Sequence, residues 1–125
     1  MSIEEVLAQV RTRLQEKIKQ QLSGLQGFVV RPIYNSLMPL HVEMFTDPEA
    51  FGLVFLKDGN VELKHGQSSN PDVRIESDVQ TLRVLFQNPG AELFKDLEKQ
   101  NRIRITALTR KGRDAETYIR RYLSG

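Results

Sequence analysis

The chain has 125 residues, 39% of them hydrophobic, and a formal net charge of +2. This composition fits one globular domain over residues 1–125, with a hydrophobic core large enough to be stable without disulfides or a structural metal. It contains no cysteine. Disulfides, thiolate nucleophiles, iron–sulfur clusters and cysteine-bound zinc are therefore excluded.

The two ends of the sequence show no recognisable targeting signal. Residues 1–5 lack the basic segment and the apolar run of a secretory signal, and the C-terminal tripeptide is neither a peroxisomal nor a reticulum-retention signal. No apolar run approaches the roughly 20 residues that span a bilayer. We therefore expect a cytoplasmic protein.

The first segment is predicted to be an amphipathic helix over residues 1–24. Ser2 and Glu5 have the spacing of a capping box, in which each side chain satisfies a free backbone N–H at a helix start. Apolar residues then recur every three or four positions as far as Leu22. Pro32 and Pro39 interrupt any strand ladder beyond it, so we interpret residues 27–39 as an irregular connection.

The middle of the chain, residues 40–77, reads as antiparallel strands. Leu40, Val42 and Met44 alternate with other residues, and the next segment, 51–56, is apolar on both faces, as expected of a central strand. Asp58-Gly59 favours a type I′ hairpin turn. Two further alternating segments then complete a three- or four-stranded meander.

The last third is predicted to hold helices and a final strand. Residues 78–100 form two short helices, capped by Ser77 and by Asn88, and residues 102–109 form the last strand. A C-terminal helix follows over 114–123, capped by Asp114. Because the strands cluster instead of alternating with helices, we expect an α+β fold: about five strands, largely antiparallel, with helices packed on one face.

Few side chains have the spacing of catalytic groups. His41 and Glu43 project from one face of a strand, which permits a proton-transfer pair, but no nucleophile or third metal ligand accompanies them. A solvent-facing pair is the simpler interpretation. The segment 110–113 lacks the glycine frame of a phosphate loop. We therefore expect no catalytic residue, no metal site and no cofactor.

Three segments, in this order and spacing, resemble the sterol carrier protein type-two family over Leu40 to Leu123. Residues 57–63, Lys-Asp-Gly-Asn-Val-Glu-Leu, look like the family's glycine hairpin. Residues 71–78, Pro-Asp-Val-Arg-Ile-Glu-Ser-Asp, look like its strand that runs into a capped helix. Residues 91–94, followed by 103–105, are similar to its helix and closing strand.

The resemblance implies a five-stranded sheet covered by helices, with an apolar tunnel that accepts sterols, fatty acyl chains or other lipids, and no catalytic residue. Mapped onto this chain, the lining residues would be Leu53, Phe55, Phe86, Phe94, Ile105, Tyr118, Ile119 and Tyr122. Each of these residues could equally be ordinary core. The carrier interpretation also gives a use to clustered bases, which would contact an anionic membrane: Arg110, Lys111, Arg113, Arg120 and Arg121.

Two other functions stay open. One is a structural or protein-interaction domain whose own side chains fill the interior, with a homodimer as one form. The other is nucleic-acid binding through the basic C-terminal region. Tyr118 and Tyr122, the nearby aromatic residues, fall on the apolar helix face and leave no stacking platform, which disfavours nucleic acid.

Overall fold

The computed structural model describes residues 2–68 and 70–125, and its first element is the predicted N-terminal helix, α1 (Ile3–Leu22). The Ser2 hydroxyl accepts a hydrogen bond from the Glu5 backbone N–H at 3.2 Å, as the capping pattern predicts. Met1 lies outside the described residues. The apolar stripe of α1 buries Ile3, Val6, Leu7, Val10 and Leu22.

The segment after α1 contradicts the prediction of an irregular connection over 27–39. A second helix, α2 (Gly24–Ser36), occupies most of it, with Pro32 inside the helix. Gly27 allows the sharp corner between the helices, since a Cβ there would overlap the Leu22 carbonyl oxygen. Arg31 donates to the same oxygen at 3.1 Å. The prediction that Pro32 excludes a strand is correct. Pro32 does not exclude a helix here, although it removes one backbone hydrogen bond from α2.

The sheet has five strands in the order β3-β2-β1-β4-β5. Their bounds are β1 (Leu40–Phe45), β2 (Ala50–Phe55), β3 (Val61–His65), β4 (Val73–Ser77) and β5 (Ile103–Ala107). Three of the four pairings are antiparallel, which confirms a largely antiparallel sheet. The chain reverses between β2 and β3 as predicted, with Asp58 and Gly59 at φ values of 62° and 85°.

One strand direction was predicted wrongly. Residues 40–77 are not all antiparallel, because β4 pairs with β1 in parallel, Val42 opposite Val73. The connection from β3 to β4 does not form a hairpin. It passes over β2 and β1 on the face of the sheet opposite the helices. There the Ser68 backbone N–H donates to the Glu43 carboxylate at 2.9 Å.

Two short helices, α3 (Val79–Gln87) and α4 (Ala91–Lys99), lie where residues 78–100 predict them. The caps differ from those expected. Asp78, not Ser77, caps α3 and accepts from the Thr81 backbone N–H at 2.8 Å. Gly90, not Asn88, is the N-cap of α4.

The C-terminal helix, α5 (Arg110–Leu123), begins four residues earlier than predicted. Thr109 and not Asp114 is its N-cap: the Thr109 hydroxyl accepts from the Gly112 N–H at 2.9 Å and donates to the Asp72 carboxylate at 2.7 Å. Gly112 is needed for close packing, because a Cβ there would overlap the Asp72 carbonyl oxygen. Gly112 therefore lies where α5 packs closely against the start of β4.

One hydrophobic cluster joins the inner face of the sheet to the helices. Its members come from every strand and from α1, α3, α4 and α5. None of the helices in the described ranges is both long and apolar enough to cross a membrane.

Candidate apolar ligand site

The inner face of the sheet is a continuous apolar surface, produced by the alternation of side chains along each strand. Leu53 on β2 lies opposite Val42 and Leu63 on the neighbouring strands. Ile75 pairs with Ile105 across β4 and β5. The sheet therefore presents aliphatic side chains from edge to edge toward the helices.

Seven of the eight residues predicted to line a cavity meet in the cluster between sheet and helices. Leu53, Phe86, Phe94 and Ile105 are buried, with exposed fractions between 3% and 8%. Phe55, Ile119 and Tyr122 are half-buried and pack against the cluster. In this conformation the seven side chains contact protein, so the residues that the family resemblance implied belong to the apolar layer of the fold.

Tyr118 is the exception, because 65% of its surface is exposed. It lies at the margin of the apolar face of α5, where the Arg121 guanidinium is 5.8 Å from its ring centre. Tyr122, one helical turn later, turns inward instead. Burial raises the pKa of the Tyr122 hydroxyl, and the nearby charge of Arg13 partly opposes this.

The five bases of α5 do not act as one group. Arg120 bridges Glu98 of α4 at 2.7 Å and Glu116 at 3.1 Å, and the hydrogen bond to Glu98 is the main cause that raises its pKa. Lys111 donates to the Pro39 carbonyl oxygen at 2.5 Å. Arg120 thus ties α4 to α5, while Arg110 and Arg113 are exposed.

His41 and Glu43 lie on the outer face of the sheet. The prediction that Glu43 faces solvent is wrong, because its side chain is buried. It is 1% exposed, and Arg74 donates to its other carboxylate oxygen at 2.9 Å. With Ser68 on one oxygen and Arg74 on the other, Glu43 is a structural anchor for the β3–β4 connection. Among the described residues no three histidine, aspartate or glutamate side chains are grouped to hold a metal ion.

Two hollows lie outside the apolar cluster. One, of about 230 Å³, is on the outer face beside Glu43, with Gly52 as its floor and the residues 64–68 as one wall. The other, of about 440 Å³, is wide open and runs along α1 at Ala8, Gln9, Thr12 and Arg13. Neither of these two hollows is lined by any of the eight residues predicted to line a cavity.

Solved structures share this architecture over the whole chain. A structure described as the UbiJ-SCP2 ubiquinone synthesis protein matches with a TM-score of 0.59 and 10% identity, covering 96% of this chain and 94% of that one. The solution structure of palmitated SCP2L2 from Aedes aegypti matches with a TM-score of 0.52 and 17% identity, covering 100% and 96%. The chain has an SCP2-like fold. The family resemblance of the sequence is confirmed at the level of fold, while no protein-family model and no curated protein matches the chain.

Sequence reasoning missed one buried polar group of this SCP2-like domain. The Tyr34 hydroxyl, on α2, is buried and has no hydrogen-bond partner among the described residues. Its burial raises the pKa to about 12. The interpretation of residues 27–39 as irregular hid it, although Gly27, Arg31 and Tyr34 are spaced three and four apart, which is the signal of one helix face.

Tyr34 lies at the Phe55 end of the SCP2-like sheet. The next residue, Asn35, both accepts a hydrogen bond from the Asp58 backbone N–H at 3.0 Å and donates to its carboxylate at 3.3 Å. Asp58 belongs to the turn that follows β2. Leu40, which opens β1 after α2, is paired with Phe55. The unpartnered hydroxyl and the half-buried Phe55 are therefore at the same end of the apolar layer.

Proposed function

We propose that the protein is a non-catalytic carrier that binds an apolar ligand between the sheet and the helices. The observation that supports this most is the SCP2-like fold over the full chain, with seven predicted lining residues converging in one apolar layer. Because Leu53, Phe86 and Phe94 are at least 95% buried by other side chains, we expect a ligand to enter by displacing a helix.

The two structural neighbours suggest which ligands to test first. One is described as palmitated and the other as a ubiquinone synthesis protein. A long-chain fatty acid and an isoprenoid quinone share a long hydrocarbon tail and a polar end. Tyr34 gives the polar end a partner, because an unpaired buried hydroxyl gains the most from a new hydrogen bond. We place the tail along Phe55 and Leu53 on this reasoning.

Uptake of a fluorescent fatty acid from solution, followed by displacement with palmitate or ubiquinone, tests the proposal. The Phe55→Arg variant is expected to lose uptake, because an unpaired guanidinium in the apolar layer is costly to bury. Phe45→Arg is the matched control: Phe45 is also a half-buried strand phenylalanine but lies on the outer face, beside Glu43. Wild-type protein that takes up neither ligand, or equal uptake by both variants, would contradict the proposal.

A second function has one observation in its favour. Leu53, Phe86 and Phe94 are already at least 95% buried by other side chains, as in a domain that fills its own interior. Such a protein would serve in protein interaction, with a homodimer as its simplest assembly. It would show no lipid after purification and native mass spectrometry. Nucleic-acid binding is weaker still as a proposal, because Arg120 is held by two glutamates.

A further inference from the structure

Helix α2 exposes large apolar side chains to an extent that the rest of the surface does not. Phe28 is 87% exposed, Val29 69%, Ile33 62% and Val30 43%. Of the seven large apolar residues exposed in the described part of the chain, these four lie on this one helix. The other three are single residues on separate elements: Val84, Leu108 and Tyr118. Single exposed apolar residues are normal, whereas a contiguous group marks an interaction surface.

The exposed residues share one side of α2. With successive residues about 100° apart, Phe28, Val29, Pro32 and Ile33 project within one half of the helix, and Gly27 projects from the other. Gly27 is buried against Leu22 and so fixes the inward side. The helix is 13 residues long, or about 20 Å, which is too short to span a bilayer. Its apolar side can only lie along a surface.

The charges around this face are basic. From Lys17 to Val42 the sequence contains no acidic residue. Lys19 of α1 is exposed, as is Lys57 on the turn that α2 contacts. Arg31 is exposed too, on the Gly27 side of α2, where it donates to the Leu22 carbonyl oxygen. The acid on that turn, Asp58, is bonded to Asn35. An apolar face bordered by bases has the composition of an interfacial membrane helix.

We propose that α2 docks the protein on anionic bilayers, with Phe28, Val29 and Ile33 in the boundary between headgroups and acyl chains and the bases at the headgroups. The inference goes beyond ligand carriage, because this face lies outside the apolar cluster. A second copy fits the face less well, since two α2 helices would bring the bases beside this face against their like-charged counterparts. Four side chains also offer far less than the roughly 800 Å² per partner of a standard protein interface.

The lack of tryptophan in the chain gives a direct test. Phe28→Trp places a single reporter on the proposed face, and Leu108→Trp places one at a 47% exposed position just before α5. With vesicles of equal parts phosphatidylcholine and phosphatidylserine, we expect the Phe28→Trp emission to shift to the blue and to be quenched by brominated acyl chains. Leu108→Trp should stay unchanged. No shift at Phe28→Trp, or equal shifts in both, overturns the proposal.

Affinity supplies the second readout. The double variant Phe28→Ser, Ile33→Ser should bind the same vesicles at least about tenfold more weakly, from the apolar surface removed. Added salt should weaken the wild type. Leu108→Ser is the control. Unchanged vesicle binding by the double variant overturns the proposal. A wild type that binds no vesicles but self-associates in sedimentation, with the self-association lost in the double variant, overturns it as well.

The same variants separate this inference from the carrier function. The double variant should still take up fluorescent fatty acid from solution as the wild type does, because both substituted side chains are exposed. Loss of uptake by wild-type protein with vesicle binding intact would refute the carrier function alone. Uptake without any vesicle binding would refute the docking role alone.

Discussion

Replacing Tyr34 by phenylalanine is expected to stabilise the empty protein and to weaken ligand binding. The Tyr34 hydroxyl is buried with no partner among the described residues, and an unsatisfied buried polar group costs about 1–3 kcal/mol. Removing it should raise the free energy of unfolding by about 1 kcal/mol. For a chain of this size that moves the melting temperature upward by about 4 °C.

Binding should change in the opposite direction. If the ligand's polar end bonds to the Tyr34 hydroxyl, the variant lacks a hydrogen bond of about 1 kcal/mol, and the affinity for a fatty acid falls about fivefold. Tyr118→Phe is the matched control, because the Tyr118 side chain is mostly exposed and should affect neither quantity. Thermal unfolding and fatty-acid titration measure the two effects on the same samples.

The pH dependence gives an independent check on the burial of this hydroxyl. Burial raises the pKa of Tyr34 from 10.0 to about 12, so the folded state favours the neutral phenol. That contribution is complete below pH 10 and is lost as the pH rises through about 12. Tyr34→Phe should therefore lose less stability than the wild type over this range. A variant less stable than the wild type at neutral pH would refute the reasoning, since the hydroxyl would then have a partner.

Three further changes test the architecture by urea denaturation. Asp78→Ala should remove about 1 kcal/mol through loss of the α3 cap. Burial raises the pKa of Asp78, but the hydrogen bonds from Thr81 and the nearby charge of Arg102 outweigh it and lower the pKa below its usual value. The difference from wild type should therefore shrink as the pH falls through that lowered pKa. Gly112→Ala should destabilise by about 3 kcal/mol because of its overlap with a main-chain oxygen. Gly90→Ala has open space around it and should cost no more than about 1 kcal/mol, through a weaker cap of α4. Glu43→Ala should lower the free energy of unfolding by about 2 kcal/mol, less than the loss of a fully buried ion pair, because the partner Arg74 is 40% exposed. It should also speed amide exchange over residues 66–68. Unchanged exchange there would show that Glu43 does not anchor the connection.

Periodicity alone located most of the sheet and four of the five helices. The alternation at Leu40, Val42 and Met44 and the doubly apolar segment after Ala50 depend on side-chain direction, which the sequence shows directly. The parallel pairing of β1 with β4 could not be predicted this way, because parallel and antiparallel neighbours show the same alternation. It depends on whether the β3–β4 connection turns back as a hairpin or crosses the sheet to the far side of β1. The contacts of Glu43 that hold the crossing connection join residues distant in sequence.

Helix α2 shows a second limit. The spacing of Gly27, Arg31 and Tyr34 indicates a helix, whereas the prediction of an irregular connection was based on Pro32 and Pro39. The error removed from view the unpartnered hydroxyl and the apolar face at Phe28. For the candidate ligand site, the family resemblance implied eight residues, and seven of them lie in the apolar layer. Only the structure shows that Tyr118 is mostly exposed.

The order of strands divides the sheet along a single seam. Everything up to β3 comes from the first half of the chain and everything from β4 onward from the second. Within residues 2–68 and 70–125, the backbone hydrogen bonds between the halves lie along β1, from Asp72 and from β4. Each half is continuous in sequence and carries its own helices. A protease nick in the 66–72 connection would thus yield two fragments, each with whole elements, which should reassociate along that seam. The chain is in this sense suited to division into complementing parts.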